Sequence, residues 1–293
     1  MRYGARYLSI RNTLIFVFAL NLLVAAAKGI YGYQTHSVSM LADGFHSLFD
    51  GTSNILGLIG IYIASKPADR NHPYGHTKFE TIATLGIGVL LSITAVQIII
   101  GSYRRLFTGV VPDVTELSFI IMLITISVNI VVSTYENRRG KALASELLVS
   151  DSLHTRSDIF VSISVIGSLV AVQLGFPLVD VIVAFIIAGV IGFMAFSILR
   201  ESSNVLCDAS AIGCDEIRGV VMNIEGVRDS HAIRTRGRRS EIYLDLHVLV
   251  DPTLSVNQAH DIATKVEAEI RKYYPEITDV LVHVEPYKTR KWR

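Results

Sequence analysis

Apolar residues fall in long blocks over the first two-thirds of this chain and in short runs afterwards. A helix needs roughly 20 mostly apolar residues to cross a bilayer. Six stretches qualify: 12–33, 37–64, 79–103, 117–135, 144–174 and 178–199. Beyond Arg200 the period changes. Residues 215–224 read as a short amphipathic helix, and 227–234 and 241–250 read as strands, the second alternating apolar and polar positions from Ile242 to Leu249. Ser255 is a plausible N-cap for a helix reaching 274, and 279–285 is a third strand. The order helix, strand, strand, helix, strand predicts a small α+β sandwich. The fold class is therefore a membrane all-α bundle of six transmembrane helices with a small α+β domain behind it. The boundary is placed at 206/207, giving domains 1–206 and 207–293.

Composition supports this division only through its distribution. The chain is 51% hydrophobic, close to a soluble average, but roughly half of its charges lie in the last ~90 residues. Arg2, Arg6 and Arg11 precede the first span, Lys66, Arg70 and Lys78 follow the second, and Arg138, Arg139 and Lys141 follow the fourth. The positive-inside rule puts these segments, and both termini, in the cytoplasm. Arg104 and Arg105 run against it, whereas the loops near 34–36 and 175–177 are nearly uncharged. The basic start leads into a long apolar run without a small-residue cleavage site, so no cleavable signal peptide is expected. Short loops point to a bacterial inner membrane. A net charge of +1 argues against a nucleic-acid partner. Cys207 and Cys214 lack the spacing of a zinc knuckle. The basic tail, Lys288, Arg290, Lys291 and Arg293, reads as a solvated end.

Two spans carry the same pattern: His46-Ser47-Leu48-Phe49-Asp50 and His154-Thr155-Arg156-Ser157-Asp158. Each sets an imidazole and a carboxylate four residues apart, on one helix face. Brought together, His46, Asp50, His154 and Asp158 supply the four N and O ligands of a tetrahedral zinc site. Their summed charge of −2 would balance a divalent cation. Ionisable groups at membrane depth cost at least ~2.5–3.5 kcal/mol each, which makes them functional candidates. Asp43 shares roughly the face of His46 and Asp50. Asn54, four residues past Asp50, is a candidate hydrogen-bond support for it. Lys28 in the first span either extends outward along its stem or meets an acidic group.

Further histidines form two more sets. Asp69, His72 and His76 lie together in the loop after the second span and could hold a metal with water in the fourth position. In the soluble domain, His231 and His247 lie on strands that could pair. His283 and Glu285 share a strand face, and His260 lies on the helix expected to cover one face of the sheet. His36, at the outer end of the second span, reads as interfacial.

Together the two motifs, the loop running Ala68-Asp69-Arg70-Asn71-His72-Pro73-Tyr74-Gly75-His76-Thr77-Lys78-Phe79-Glu80 and the α+β tail resemble the cation diffusion facilitator family along essentially the whole chain. The resemblance implies a proton-coupled exporter of divalent cations, not an enzyme. It also implies a homodimer whose soluble domains touch and have a ferredoxin-like, metallochaperone-like fold. It assigns a transport site to His46, Asp50, His154 and Asp158 and a loop site to Asp69, His72 and His76. A regulatory cytoplasmic site falls on His231, His247, His260, His283 and Glu285, the last standing where some relatives have aspartate. A charge link between Lys78 and Asp208 is also implied.

Imidazole at His46, where manganese and iron exporters of the family often carry aspartate, favours Zn²⁺. Cd²⁺, Co²⁺, Ni²⁺, Fe²⁺ and Mn²⁺ are the other candidates. Metal requires neutral imidazoles and ionised carboxylates, so cation and protons compete for the same side chains. An intramembrane metalloprotease would need a base and an open metal position, and no His-Glu-x-x-His occurs. A sensor that binds metal without moving it is the other competing reading.

Overall fold

The computed structural model describes residues 2–34, 38–108, 116–173 and 177–287. Within these, the side chains at 2–4, 32, 34, 38–46, 49, 50, 105–108, 116–118, 122, 164, 165, 168–173 and 177–181 lie outside the described residues. His36, the two uncharged loops and the basic tail also lie outside them, in whole or in part. The chain divides into two compact units, Met1–Ser202 and Ser203–Arg293.

The first unit contains six helices: α1 (Arg2–Gln34), α2 (Val38–Ala64), α3 (Lys78–Thr108), α4 (Glu116–Ala142), α5 (Glu146–Gln173) and α6 (Pro177–Leu206). At 27–33 residues each, they run roughly 40–50 Å, long enough to cross a bilayer. Among the described residues, four are apolar enough to span by composition: Ala5–Tyr31, Lys78–Arg104, Phe119–Ala142 and Ile182–Leu206. In α2 the described apolar stretch is the shorter Gly51–Ala64. Helix α5 carries Asp151, His154, Arg156 and Asp158 in its first half, a polar load that lowers its hydropathy.

Large apolar side chains such as Phe16, Leu23, Val131, Ile186, Phe193 and Phe196 point outward. That is the surface a hydrocarbon environment favours. Inside, Ile10, Leu14, Ile61, Ile87, Leu91, Leu147, Leu148 and Ile191 form the core. Helix α2 crosses α3 closely at Gly60, where a Cβ would lie 2.3 Å from the Cβ of Ala83. Small residues permit this kind of approach in membrane bundles.

Helices α1, α4 and α6 run well past the apolar stretches that announced them. Helix α1 starts at Arg2 because Tyr7 and Ile10 are buried and Arg6 is tied down. The Arg6 guanidinium donates to both oxygens of the fully buried Glu80 (3.1 and 3.2 Å) and to the carbonyls of Leu143 and Ala144 (2.8 and 2.9 Å). Ser145 Oγ donates to Glu80 at 2.7 Å. One ion pair thus joins α1, the start of α3 and the α4–α5 turn. Helix α4 continues to Ala142 and α6 to Leu206. Basic residues fill the last turn of α4, where they complement the helix dipole.

In the second unit, α7 (Cys214–Val221) and α8 (Val256–Tyr273) accompany β1 (Asp229–Arg238), β2 (Glu241–Val250) and β3 (Ile277–Pro286). The sheet order is β1-β2-β3, with β1–β2 antiparallel and β2–β3 parallel. Ser255 caps α8 in a capping box with Gln258. Ile262, Val266 and Ile270 line one stripe of α8 and pack with Ile217 and Val221 of α7 against Ile242, Leu244, Leu246 and Val248. Both helices therefore cover one face of the sheet. The other face presents Tyr243, Asp245 and His247 of β2, which point the opposite way.

Candidate metal centres

The second motif lies on α5, where His154 is buried and Asp158 is half-buried. Both line a cavity of about 20 Å³ with Ser47 and Ser53 of α2, Asn21 and Val24 of α1, and Thr125 and Asn129 of α4. That space suits one water-sized species. The first motif lies on α2, but the side chains of His46, Asp50 and Asp43 lie outside the described residues. The helix carrying them supplies two residues of the cavity wall, Ser47 beside His46 and Ser53 one turn past Asp50. Helices α2 and α5 are packed together. Lys28 does not extend outward: it is 5% exposed, and its Nζ donates to Ser47 Oγ at 2.9 Å. A hydroxyl within reach replaces the water that an outward stem would have sought.

A buried polar cluster adjoins this cavity, and hydropathy reading overlooks it. The apolar stretch of span four ends before Glu136, but the helix continues and Glu136 is 0% exposed. Asp151, three residues before His154, is 1% exposed. Asn54 Nδ2 donates to Asp151 Oδ2 at 2.5 Å and Asn54 Oδ1 accepts from Asn21 at 3.0 Å. Asn54 therefore serves Asp151; the expected support of Asp50 lies outside the described residues. Thr155 Oγ1 donates to Glu136 Oε2 at 3.3 Å. The available signal was two acidic residues beside apolar runs, each a functional candidate on cost alone.

Asp69, His72 and His76 come together in the loop, with one potential ligand atom from each lying within 4.8 Å of the others. Asp69 lies 3.4 Å from His72 Nδ1 and 3.5 Å from His76 Nε2. The ring of His76 is buried, and its Nδ1 is 3.1 Å from the carbonyl of Pro67. That contact favours the Nδ1–H tautomer and turns the Nε2 lone pair towards Asp69, as a metal ligand requires. The backbone N–H of His72 donates to Asp69 and holds its carboxyl below the ordinary value of 3.8.

In the second unit the open face of the sheet gathers the histidines. His231 and His247 are direct partners across β1–β2, and His247 and His283 across β2–β3. Glu285 lies 3.0 Å from His247, 3.5 Å from His231 and 3.6 Å from His283. His231, His247 and Glu285 form a three-ligand group. A β-bulge follows His231, with Ala232 at φ +51°, and bulges of this kind re-aim strand side chains. His260 does not join the group. It is exposed on α8, and α8 covers the opposite face of the sheet, so the sheet separates His260 from the other ligands of its own chain.

The architecture is that of a multi-pass membrane transporter joined to a small α+β domain. Residues 14–207 match the cation efflux transmembrane domain, and residues 210–287 match the cytoplasmic domain of cation efflux proteins. The chain belongs to the cation efflux family, whose members transport metal cations and are not enzymes. An uncharacterised transporter of Methanocaldococcus jannaschii is 31% identical over 94% of this chain and 98% of its own length. The manganese efflux system protein MneS of Bacillus subtilis is 30% identical over 93% of this chain and 94% of its own. Among solved structures, a MamM C-terminal domain is 29% identical, covering 25% of this chain and 92% of that one, with a TM-score of 0.24.

Proposed function

We propose that this chain exports Zn²⁺ from the cytoplasm in exchange for protons, through a site made of His46, Asp50, His154 and Asp158. One observation carries the reading: His154 and Asp158 open into a cavity walled by the same helix, α2, that bears the first motif. Two imidazoles and two carboxylates suit zinc in number and softness. Metal entering from the cytoplasm displaces protons from these side chains, and protons return when it leaves outward. The helices around the cavity must rock between inward and outward openings, since a fixed site would only bind.

In this reading the protein is a homodimer in a bacterial inner membrane, with both termini cytoplasmic. The set Asp69, His72 and His76 and the set His231, His247, His283 and Glu285 hold regulatory Zn²⁺. The geometry supports both, because each brings imidazole and carboxylate within coordination reach. Manganese is the second candidate cargo. The cavity wall is rich in oxygen donors (Asn21, Ser47, Ser53, Thr125 and Asn129), which suit a harder ion.

The test uses sealed proteoliposomes loaded with a pH dye. Zinc is added outside, with manganese in parallel, and wild type is compared with Asp50→Ala and Asp158→Ala. Zinc uptake with opposite proton flow, abolished in both variants, is the expected result. Manganese flux exceeding zinc flux would reassign the cargo. Metal binding by folded protein without flux would replace transport with sensing.

A further inference from the structure

Resting on the antiport reading above, we propose that Glu136 and Asp151 form a proton-holding pair that releases one proton when metal arrives and regains it when metal leaves. Neither residue belongs to the metal-ligand set.

The two carboxyl groups approach from α4 and α5 at 0% and 1% exposure. One oxygen of each is satisfied: Asp151 Oδ2 accepts from Asn54 Nδ2, and Glu136 Oε2 accepts from Thr155 Oγ1. Among the described residues, no donor hydrogen-bonds to the other oxygens, Glu136 Oε1 and Asp151 Oδ1, and the two side chains lie within hydrogen-bonding reach of each other. Two ionised carboxylates cannot bond to each other. Shared by one proton they can, with the acid O–H of one donating to the other. Like charges this close and this dry cannot both ionise.

Among the described residues, His154 and Asp158, both on α5, act electrostatically on the pair. Helix α2 adds Ser53 and Asn54, and α1 adds Asn21 through Asn54. The nearest positive charge to arrive would be the transported ion itself, in the cavity that Ser53, Thr155, His154 and Asp158 share. A divalent cation there stabilises the doubly ionised pair, so its proton leaves for the cytoplasmic side. After the metal departs outward, the doubly charged pair at membrane depth takes a proton back. Each cycle passes one proton through the pair, in addition to any carried by the ligands.

Glu136→Gln is the informative substitution. Its amide can donate to Asp151 Oδ1 as the shared proton does, but it cannot leave. Detergent-purified full-length protein is titrated with Zn²⁺ in buffers of different ionisation enthalpy, which counts protons released per zinc. Infrared spectra follow the carbonyl stretch of protonated carboxylic acid. The expected result is one proton fewer in Glu136→Gln than in wild type, with zinc still bound, and a zinc-induced loss of acid carbonyl signal seen only in wild type. Asp151→Asn is the second variant if the first does not fold, and it should show the same deficit. Equal proton counts in wild type and variant, or no acid carbonyl change in wild type, overturn the pair while leaving proton exchange by the ligand set intact. Zinc binding by wild type with no proton release overturns the antiport reading, and the pair with it.

Discussion

The Arg6–Glu80 pair gives a sharp test of how this bundle is held together. Glu80 is fully buried, and the side chain of Arg6 is only 14% exposed. At 3.1 Å and an effective dielectric near 20, their attraction is about 5 kcal/mol. Much of this offsets the desolvation of two charges, so the net value of the pair is far smaller. Breaking it is another matter. Arg6→Met leaves Glu80 buried with Ser145 Oγ donating to it and strips the carbonyls of Leu143 and Ala144 of a donor each. The expected loss is about 3–5 kcal/mol. Glu80→Gln keeps a polar group that Ser145 can still engage, and it removes the buried charge from the Arg6→Met background. The double variant should therefore be less destabilised than the sum of the two single variants. The assay is equilibrium unfolding of the full chain in mixed detergent and SDS micelles, arranged as a double-mutant cycle. A loss below about 1 kcal/mol for Arg6→Met, or effects additive within about 0.5 kcal/mol, would refute the reasoning.

Three further outcomes are expected. Gly60→Val drives side-chain atoms into Ala83, where even a Cβ would lie 2.3 Å from its neighbour, so overpacking should cost about 1–3 kcal/mol or more, read as a lower melting temperature. Glu285→Ala removes the carboxylate within 3.6 Å of all three open-face histidines and should weaken zinc binding by the soluble domain at least ~10-fold, measured by competition with a chelating dye in a chain lacking Asp50 and Asp158. Asp251 is held below its ordinary 3.8, chiefly by the hydroxyl of Thr253 at 2.6 Å and then by its backbone N–H. A depressed carboxyl stabilises the turn above pH 3.8, and that contribution is lost as pH falls through the lower folded value. Carboxyl-labelled aspartate resonances of the full chain should show this titration moving upward in Thr253→Val.

Local periodicity accounts for what could be read without coordinates. The six long helices, the β2 strand at 241–250 and the Ser255 cap all follow from patterns spanning one or two turns or a few alternations. The same holds for the spacing of each His–Asp motif and for the Asp69, His72 and His76 set, whose members lie within eight residues of one another. What joins residues distant along the chain was decided by packing. Glu136 looked like the start of a basic loop until α4 continued and buried it against α5. Asn54 turned to Asp151, 97 residues away. Lys28 found Ser47 inside the bundle. His260 shares a domain with His231, His247 and His283, but the sheet stands between them because α8 packs on its other face. A sequence period sets which face of an element a side chain occupies. Only the tertiary arrangement sets what that face meets, and the cost of burying an unmatched polar group is settled there.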